Sequence, residues 1–294
     1  MTVAKAVNAV LGGLGQRAAS REFGVPRSTI QDALTRRSRT PQKGKTKAAP
    51  NKTILVISDL HAPYNHPDTL PFLKAVKKKY KPDRVVSVGD ELDFHAMSFH
   101  DSDADLPSAG GELKLGQAFL RELETMFPQM DLVESNHGSM AFRRAKAHGI
   151  PRHLMVSYRD AIFADHIEGE MVRTGKGEGW DWHPRLTLEM SNGEKVCFVH
   201  TAGMDCLRNA EHIGMAFVQG HHHEKAEIRY TSNPDKLYWG MTVGCSIDDD
   251  AMAFAYNKVN KNRPLIGHAI IENGFPKLLP MPLERGGKWN GYVP

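Results

Sequence analysis

Five short apolar runs each end at residues that can bind a metal ion, and this arrangement constrains the fold more than any other feature. Runs of this length are typical of buried strands. Polar side chains that follow several strands meet at the carboxyl edge of an α/β sheet, where binding sites gather. The pattern therefore predicts an α/β fold with a site at that edge. The runs are ILVI before Ser58-Asp59-Leu60-His61, RVVSV before Gly89-Asp90-Glu91-Leu92-Asp93, DLVE before Ser135-Asn136-His137, KVCFV before His200, and AFVQ before Gly220-His221-His222-His223.

These strand ends supply carboxylates, imidazoles and an amide, but no cysteine. Mixed oxygen and nitrogen donors suit Mn²⁺, Zn²⁺ or iron, and the lack of thiolates argues against a structural zinc finger. The three cysteines, Cys197, Cys206 and Cys245, form no CxxC pair and cannot all pair within one chain. The chain is therefore expected in a reducing compartment, with the thiols as packed side chains.

The motifs DLH, GDELD, SNH, a histidine at a strand end, and GHHH follow one another along the chain. In this order they resemble the calcineurin-like metallophosphoesterase family across residues 53–250. The resemblance implies a four-layer α/β/β/α sandwich. It also implies two divalent metal ions, with manganese the expected metal and iron, zinc or nickel the alternatives. In such a site, in-line attack by a metal-bridging hydroxide hydrolyses a phosphate ester.

The resemblance assigns a role to each matching residue. Asp90 would bridge the two metal ions and set their separation. His222 occupies a variable position of the motif and is left out of the ligand set. One ion would be held by Asp59, His61 and His223, and the other by Asn136, His200 and His221.

His137 directly follows the ligand Asn136. In the resembling family this histidine lies near the leaving oxygen, so it is expected to act as the general acid, a role that suits an imidazole near neutral pH. Asp93, the last residue of GDELD, is expected to hydrogen-bond the His137 ring and fix its tautomer. Ser135 and Gly138 depart from the family pattern, which more often has a glycine and an acid there. Asp93 is for that reason the favoured partner.

Arg143, Arg144 and His95 are expected to contact the substrate. The two arginines follow His137 in a helical stretch, and a guanidinium pairs well with a phosphate. A solvated helix face is the alternative for them. Phe94-His95 follows Asp93 where the Ser/Thr protein phosphatase branch continues with Arg-Gly, so protein phosphatase activity is less expected.

The first 50 residues are strongly basic, with ten lysines and arginines against two acids, although the whole chain carries a net charge of only +4. Such asymmetry favours contact with a polyanion. Apolar residues at helical spacing predict a first helix from about Val3, a second from about Gln16 to Phe23, and a third that opens at Pro26. The stretch AASREFGVPRSTIQDAL resembles helix-turn-helix domains of the resolvase and pipsqueak type.

In such domains the last helix enters the major groove, so its exposed side chains are expected to contact DNA. A three-helix protein-docking module is the alternative, because a fold alone does not settle function. The expected DNA contacts are Arg27, Thr29, Gln31, Arg36 and Arg37.

The sequence divides into three predicted parts. Residues 1–37 form the helix-turn-helix domain, residues 38–51 a basic flexible linker, and residues 52–294 the metallophosphoesterase domain. No apolar run approaches the roughly 18–20 residues that cross a bilayer. The apolar N-terminus lacks a convincing signal-peptide cleavage site. A cytoplasmic protein that does not contact membranes is expected.

A DNA-reading head on a two-metal domain favours a nuclease-type phosphodiesterase acting on DNA, because the tether raises the local concentration of substrate. The layout resembles phosphoesterases encoded by tailed bacteriophages, which would place the protein in the host cytoplasm. One copy of so small a reader is expected to bind weakly, so either a homodimer or a second contact surface is expected to assist it. Two alternatives stay open. One is a phosphomonoesterase, or a phosphatase of cyclic nucleotides or phosphoproteins; the other is a catalytically inactive DNA-binding regulator.

Overall fold

The computed structural model describes residues 2–11, 16–30, 51–98, 105–167, 169–251 and 263–294. The chain divides into two compact units, Met1–Ala49 and Pro50–Pro294. Among the helices described, none combines the length and the apolar character that a membrane crossing requires.

The first unit is helical, as predicted. Helix α1 spans Thr2–Leu11 and α2 spans Gln16–Phe23, and Gly24 makes the following turn with φ of 63°. Residues 27–30 are helical again, so the third helix does begin next to Pro26. Apolar side chains from all three segments share one core, formed by Ala6, Val7, Ala19, Val25 and Ile30.

The second unit contains a six-stranded sheet in the order β13-β12-β1-β2-β3-β6. Strands β1, β2, β3 and β6 run parallel to one another. Strand β12 pairs antiparallel with both of its neighbours, β1 and β13. The parallel strands end at one edge, and the first three deliver the predicted DLH, GDELD and SNH motifs there. The strands are β1 Thr53–Ile57, β2 Arg84–Ser87, β3 Met130–Val133, β6 Trp180–His183, β12 Gly267–Glu272 and β13 Phe275–Pro280.

A five-stranded sheet follows the order β10-β11-β9-β8-β7. Its β8, β9 and β11 are parallel, and a hairpin joins β7 to β8. The sheet therefore brings His200 and the GHHH motif to its own carboxyl edge. Its strands are β7 Leu186–Glu189, β8 Lys195–Val199, β9 Ala216–Gln219, β10 Glu227–Ser232 and β11 Leu237–Thr242; β4 Asp165–Ile167 and β5 Glu170–Val172 form a separate hairpin.

Alternation along the strands divides the second unit into packed layers. In β1, Ile54 and Val56 pack against the five-stranded sheet, whereas Leu55 and Ile57 pack against helices on the other face. The five-stranded sheet is covered on its outer side by one more helix. The prediction of an α/β fold is thus confirmed, with two packed sheets. The helices are α3 Thr69–Tyr80, α4 Ala109–Met126, α5 Met140–Ala147, α6 Tyr158–Phe163 and α7 Cys206–Ile213.

Candidate metal centre

The loops that follow β1, β2 and β9 bring four predicted ligands together. One donor atom from each of Asp59, His61, Asp90 and His223 lies within 4.8 Å of the others. Nε2 of His61 lies 3.0 Å from Nε2 of His223 and 3.6 Å from Oδ2 of Asp90. Nε2 of His223 lies 3.4 Å from Oδ1 of Asp59. These donors converge on one point, as the ligands of a cation do.

A second group of donors shares Asp90 with the first. Asp90, His200 and His221 also place one donor atom each within 4.8 Å of one another. Nε2 of His200 lies 3.2 Å from Oδ2 of Asp90 and 3.2 Å from Nδ1 of His221. The amide oxygen of Asn136 lies 2.6 Å from the same Nε2. All seven predicted ligands therefore meet in two adjoining groups.

Hydrogen bonds on the far side of the rings direct the remaining nitrogens into the site. Nδ1 of His61 donates to Oδ1 of Asp93 at 2.6 Å, and Nδ1 of His200 donates to the Val88 carbonyl at 2.8 Å. In the neutral ring, Nε2 is then the nitrogen with the lone pair. Partners of this kind fix the tautomer of metal-binding histidines and raise their basicity.

The electrostatics of the pocket favour a bound cation. Burial by itself would raise the pKa of the Asp90 carboxyl, but His200 and His137 outweigh it and hold the pKa well below its ordinary value. Burial likewise opposes the charged form of His200, yet Asp90 and Asp59 raise its pKa to about 9. Oδ2 of Asp90 is buried and has no hydrogen-bond partner in the described part of the chain. An unmatched carboxylate oxygen among converging nitrogens fits divalent metal ions.

His137 lies beside the site without joining either group of four. Its Nε2 is 3.9 Å from Oδ2 of Asp90, and its backbone N–H donates to Oδ1 of Asp90 at 3.2 Å. The expected hydrogen bond between Asp93 and the His137 ring is present, but it is made by the backbone of Asp93 and not by its carboxylate. Nδ1 of His137 donates to the backbone carbonyl of Asp93 and lies 4.0 Å from the carboxylate. The Asp93 carboxylate instead bonds His61, because that ring lies closer to it.

The backbone is strained where the ligands lie. Non-glycine residues with positive φ are uncommon, and they tend to cluster at functional sites. Among those that the structure describes are Asp59, His61, Asp90 and His221, with φ of 45°, 51°, 53° and 68°. Four of the seven predicted ligands thus adopt left-handed backbone, which turns each side chain back toward the strand ends.

The three predicted substrate contacts are engaged in the protein itself or buried. Arg143 donates to the Asn136 carbonyl at 3.0 Å, and Arg144 donates to the carbonyls of Met97 and Ser98. The His95 side chain is buried, and its Nε2 has no hydrogen-bond partner among the residues described. The arginines support the loops beside the centre, and contact of any of the three with substrate stays a prediction.

Glu91 and Tyr158 belong to the surroundings of the site, although the motifs gave them no role. Glu91 directly follows Asp90 and is fully buried; it accepts hydrogen bonds from Ser87 at 2.7 Å and Tyr158 at 3.3 Å. Burial raises the pKa of Glu91 to about 7. The sequence did contain a signal for Glu91, because it is an additional acid within the GDELD motif. Nothing in the sequence near Tyr158 indicated that it reaches this loop.

In the first unit, Arg27 and Thr29 are exposed on the helical residues that follow the turn, as contacts with DNA require. Gln31, Arg36 and Arg37 lie outside the described residues. Their contacts with DNA therefore stay predictions from the sequence.

Residues 2–41 match the family model described as helix-turn-helix, Psq domain. The match supports the predicted helix-turn-helix. A comparison with curated proteins finds no match.

Solved structures of Vps29 are similar to this chain. The one from Chaetomium thermophilum is 11% identical with a TM-score of 0.42, over 82% of this chain and 94% of its own. Vacuolar Protein Sorting 29 from Cryptosporidium parvum is 13% identical with a TM-score of 0.40, over 83% and 95% of the two chains. A Vps29 single mutant from Entamoeba histolytica is 12% identical with a TM-score of 0.38, over 82% and 96%. At these values the similarity supports no statement about activity.

Proposed function

We propose that residues 52–294 form a metallophosphoesterase domain of the calcineurin-like kind that hydrolyses phosphate esters with two metal ions. The observation that carries the proposal is the position of Asp90. This one buried carboxylate belongs to both groups of donor atoms. A shared carboxylate is what holds two cations at the short separation that two-metal hydrolysis needs, about 3.5–4 Å.

The residues around Asp90 have two proposed roles, metal binding and proton donation. Asp59, His61 and His223 would hold one ion, and Asn136, His200 and His221 would hold the other, with manganese the proposed metal. When bound, the ions supply Lewis acidity toward the phosphoryl oxygens and activate water. His137 lies at the rim of the pocket, where its ring donates a proton to the leaving oxygen. The Asp93 carbonyl accepts the Nδ1–H of His137 and so directs Nε2 toward the site. The proton that Nε2 would donate is that of the imidazolium form, which carries a proton on both ring nitrogens.

For the whole chain we propose a nuclease-type phosphodiesterase that acts on DNA. The helix-turn-helix match at residues 2–41 supports DNA binding, and a flexible linker over residues 38–51 would keep the catalytic domain close to the bound strand. Cytoplasmic location, a bacteriophage origin and a homodimer stay predictions from the sequence.

A panel of three substrates with manganese tests the proposal: DNA, offered both as a single strand and as duplex plasmid, bis-p-nitrophenyl phosphate and p-nitrophenyl phosphate. We expect hydrolysis of both diesters. Asp90→Asn should abolish most of it on both, because it removes the carboxylate shared by the two donor groups. His137→Ala should reduce DNA hydrolysis by at least about 100-fold, in the range of general acid–base contributions, and affect bis-p-nitrophenyl phosphate less, because p-nitrophenolate leaves without a proton. His148→Ala, which removes an exposed imidazole away from the centre, serves as the control. Hydrolysis of the monoester alone, with the DNA intact, would contradict the nuclease assignment.

A further inference from the structure

A second cleft opens beside the candidate metal centre, between α6, β6 and the segment that follows β5. Its volume is about 590 Å³, within the range of about 300–1,000 Å³ that small-molecule sites occupy. Tyr158 and Trp182 give the cleft partly buried aromatic walls, and Arg159 is also part of the lining.

Tyr158 connects the cleft to the metal centre. Its hydroxyl donates to Glu91, the residue after the bridging Asp90, at 3.3 Å. Its ring lies so close to Gly138 that a Cβ there would meet Cε1 of Tyr158 at 3.3 Å. Gly138 directly follows the proposed general acid His137. The cleft therefore shares Tyr158 with the loops that carry Asp90 and His137.

The charges of the cleft favour a neutral group. Its lining carries four basic side chains and three carboxylates. Arg173 forms two hydrogen bonds of 2.8 Å to Asp160, and Arg159 lies 3.3 Å from Asp181. These pairs neutralise much of the positive charge. A second phosphate would gain little here, whereas an uncharged ring with polar edges would lose little on leaving water.

The aromatic side chains favour a planar group. The Arg159 guanidinium carbon lies 5.5 Å from the centre of the Trp182 ring, and the Tyr158 and Trp182 rings meet edge to face at 5.8 Å. Arginine over an aromatic ring is an arrangement on which nucleobases stack.

We propose that this cleft binds the nucleoside next to the scissile phosphate, so that the substrate is single-stranded DNA. The inference rests on the proposed function, since the phosphate is taken to lie at the metal centre. A base inside a duplex is stacked and paired, and it would have to leave the stack to enter the cleft. The cleft thus selects a nucleotide ester over a phosphopeptide or a simple phosphomonoester.

Calorimetric titration of the full-length protein with thymidine tests the subsite directly. Thymidine carries no phosphate, so its binding needs neither metal nor catalysis. We expect saturable binding that Trp182→Leu and Arg159→Ala each weaken by about tenfold or more, the usual worth of base stacking. Trp289→Leu is the matched control, because Trp289 packs against Phe72 on another part of the domain. Circular dichroism checks that each variant is folded. If Trp182→Leu does not fold, Arg159→Ala still tests the subsite.

Two results would overturn the subsite. One is the absence of thymidine binding to a wild-type protein that hydrolyses bis-p-nitrophenyl phosphate, which would leave the phosphoesterase proposal intact. The other is binding of phosphotyrosine, and not of thymidine, that is lost in Trp182→Leu, because the occupant would then be a phosphopeptide. Thymidine binding that is lost in both cleft variants supports the subsite even if the protein hydrolyses no ester.

Discussion

At the scale of single residues, the carboxylate of Asp93 acts on His61, one of the proposed metal ligands. It lies 2.6 Å from Nδ1 of His61. Carboxylates in this position orient the ring and raise its basicity, and their loss typically costs about 10–100-fold in metal affinity. We therefore expect Asp93→Asn to weaken manganese binding by about that factor, measured by calorimetric titration of metal-stripped protein.

Asp131→Asn is the matched control for this variant, since it removes a carboxylate that bonds the unrelated His183 at 2.9 Å. Unchanged manganese affinity in Asp93→Asn, together with a shifted pH–rate profile, would show that the carboxylate serves His137 instead.

The choice between His61 and His137 could not be made from the sequence. The strand-end motifs indicated which loops meet, and the resemblance to metallophosphoesterases supplied the seven predicted ligands. The two imidazoles, however, have ring centres only 4.7 Å apart, and both lie near Asp93. Phe94, which directly follows Asp93, has left-handed backbone with φ of 56°. At this turn the backbone carbonyl of Asp93 bonds the His137 ring, and the carboxylate of Asp93 bonds the His61 ring.

The burial of His268 predicts that the stability of the fold depends on pH. Its side chain is buried between Ser58 and Ser246, and burial lowers the pKa of its imidazole to about 4. The unfolded chain, with an ordinary pKa near 6.5, then binds the proton more readily than the folded chain does. Stability from this group is fully present above about pH 6.5. It is lost as the pH falls toward 4, by at most about 3 kcal/mol.

We expect His268→Gln to flatten the fall in unfolding free energy over this range of pH, measured by urea denaturation. Because the comparison is between slopes, a general destabilisation of the variant does not affect it. His212→Gln, at an exposed histidine, should keep the wild-type slope. Equal slopes in His268→Gln and wild type would refute the prediction.

At the scale of elements, the strands that could be predicted are those with an uninterrupted apolar run. Five strands are buried on both faces, and their sequences are correspondingly apolar along most of their length. They are β1, β2, β3, β8 and β9. β6 was missed because its sequence, WDWH, alternates aromatic and polar residues over only four positions. β10 was missed because it is an edge strand with a largely exposed, polar sequence. Pairing with a neighbour, which the sequence does not display, makes these segments strands.

The turn after β2 places Asp90, and Gly89 permits that turn. Its φ is 103°, and a Cβ would lie 2.6 Å from Cβ of Ser135 and 2.9 Å from Nδ1 of His200. We expect Gly89→Ala to lower the unfolding free energy by about 1–3 kcal/mol for the backbone and by a similar amount for the overpacking. Manganese binding should also weaken, because His200 must move.

Gly193→Ala is the control, since Gly193 has φ of 83° but no atom within 4 Å of the added Cβ. It isolates the backbone cost of the substitution. Chemical denaturation of both variants gives the comparison. Equal losses in the two would mean that the close approach of Gly89 to His200 has no energetic weight.

At the scale of the whole molecule, the two units differ in charge as well as in fold. The first 50 residues hold ten of the 38 basic residues and only two of the 34 acids. Duplex DNA attracts such a segment strongly and repels the acidic remainder. Affinity for DNA is therefore expected from the head, and chemistry from the second unit. A change in the head should alter how much DNA is held and leave the hydrolysis of a small ester unaffected.

The double variant Arg27→Ala, Thr29→Ala tests this division in the full-length protein. Both side chains are exposed at the start of the third helical segment. We expect weaker DNA binding in a fluorescence-anisotropy titration, with a salt dependence reduced by about 0.9 for each phosphate contact removed. Hydrolysis of bis-p-nitrophenyl phosphate should equal that of wild type, because this diester does not need the head. Arg21→Ala removes an exposed arginine from α2 and controls for loss of charge alone. If the double variant and Arg21→Ala bind DNA alike, charge alone accounts for the binding, and the third helix does not read the groove.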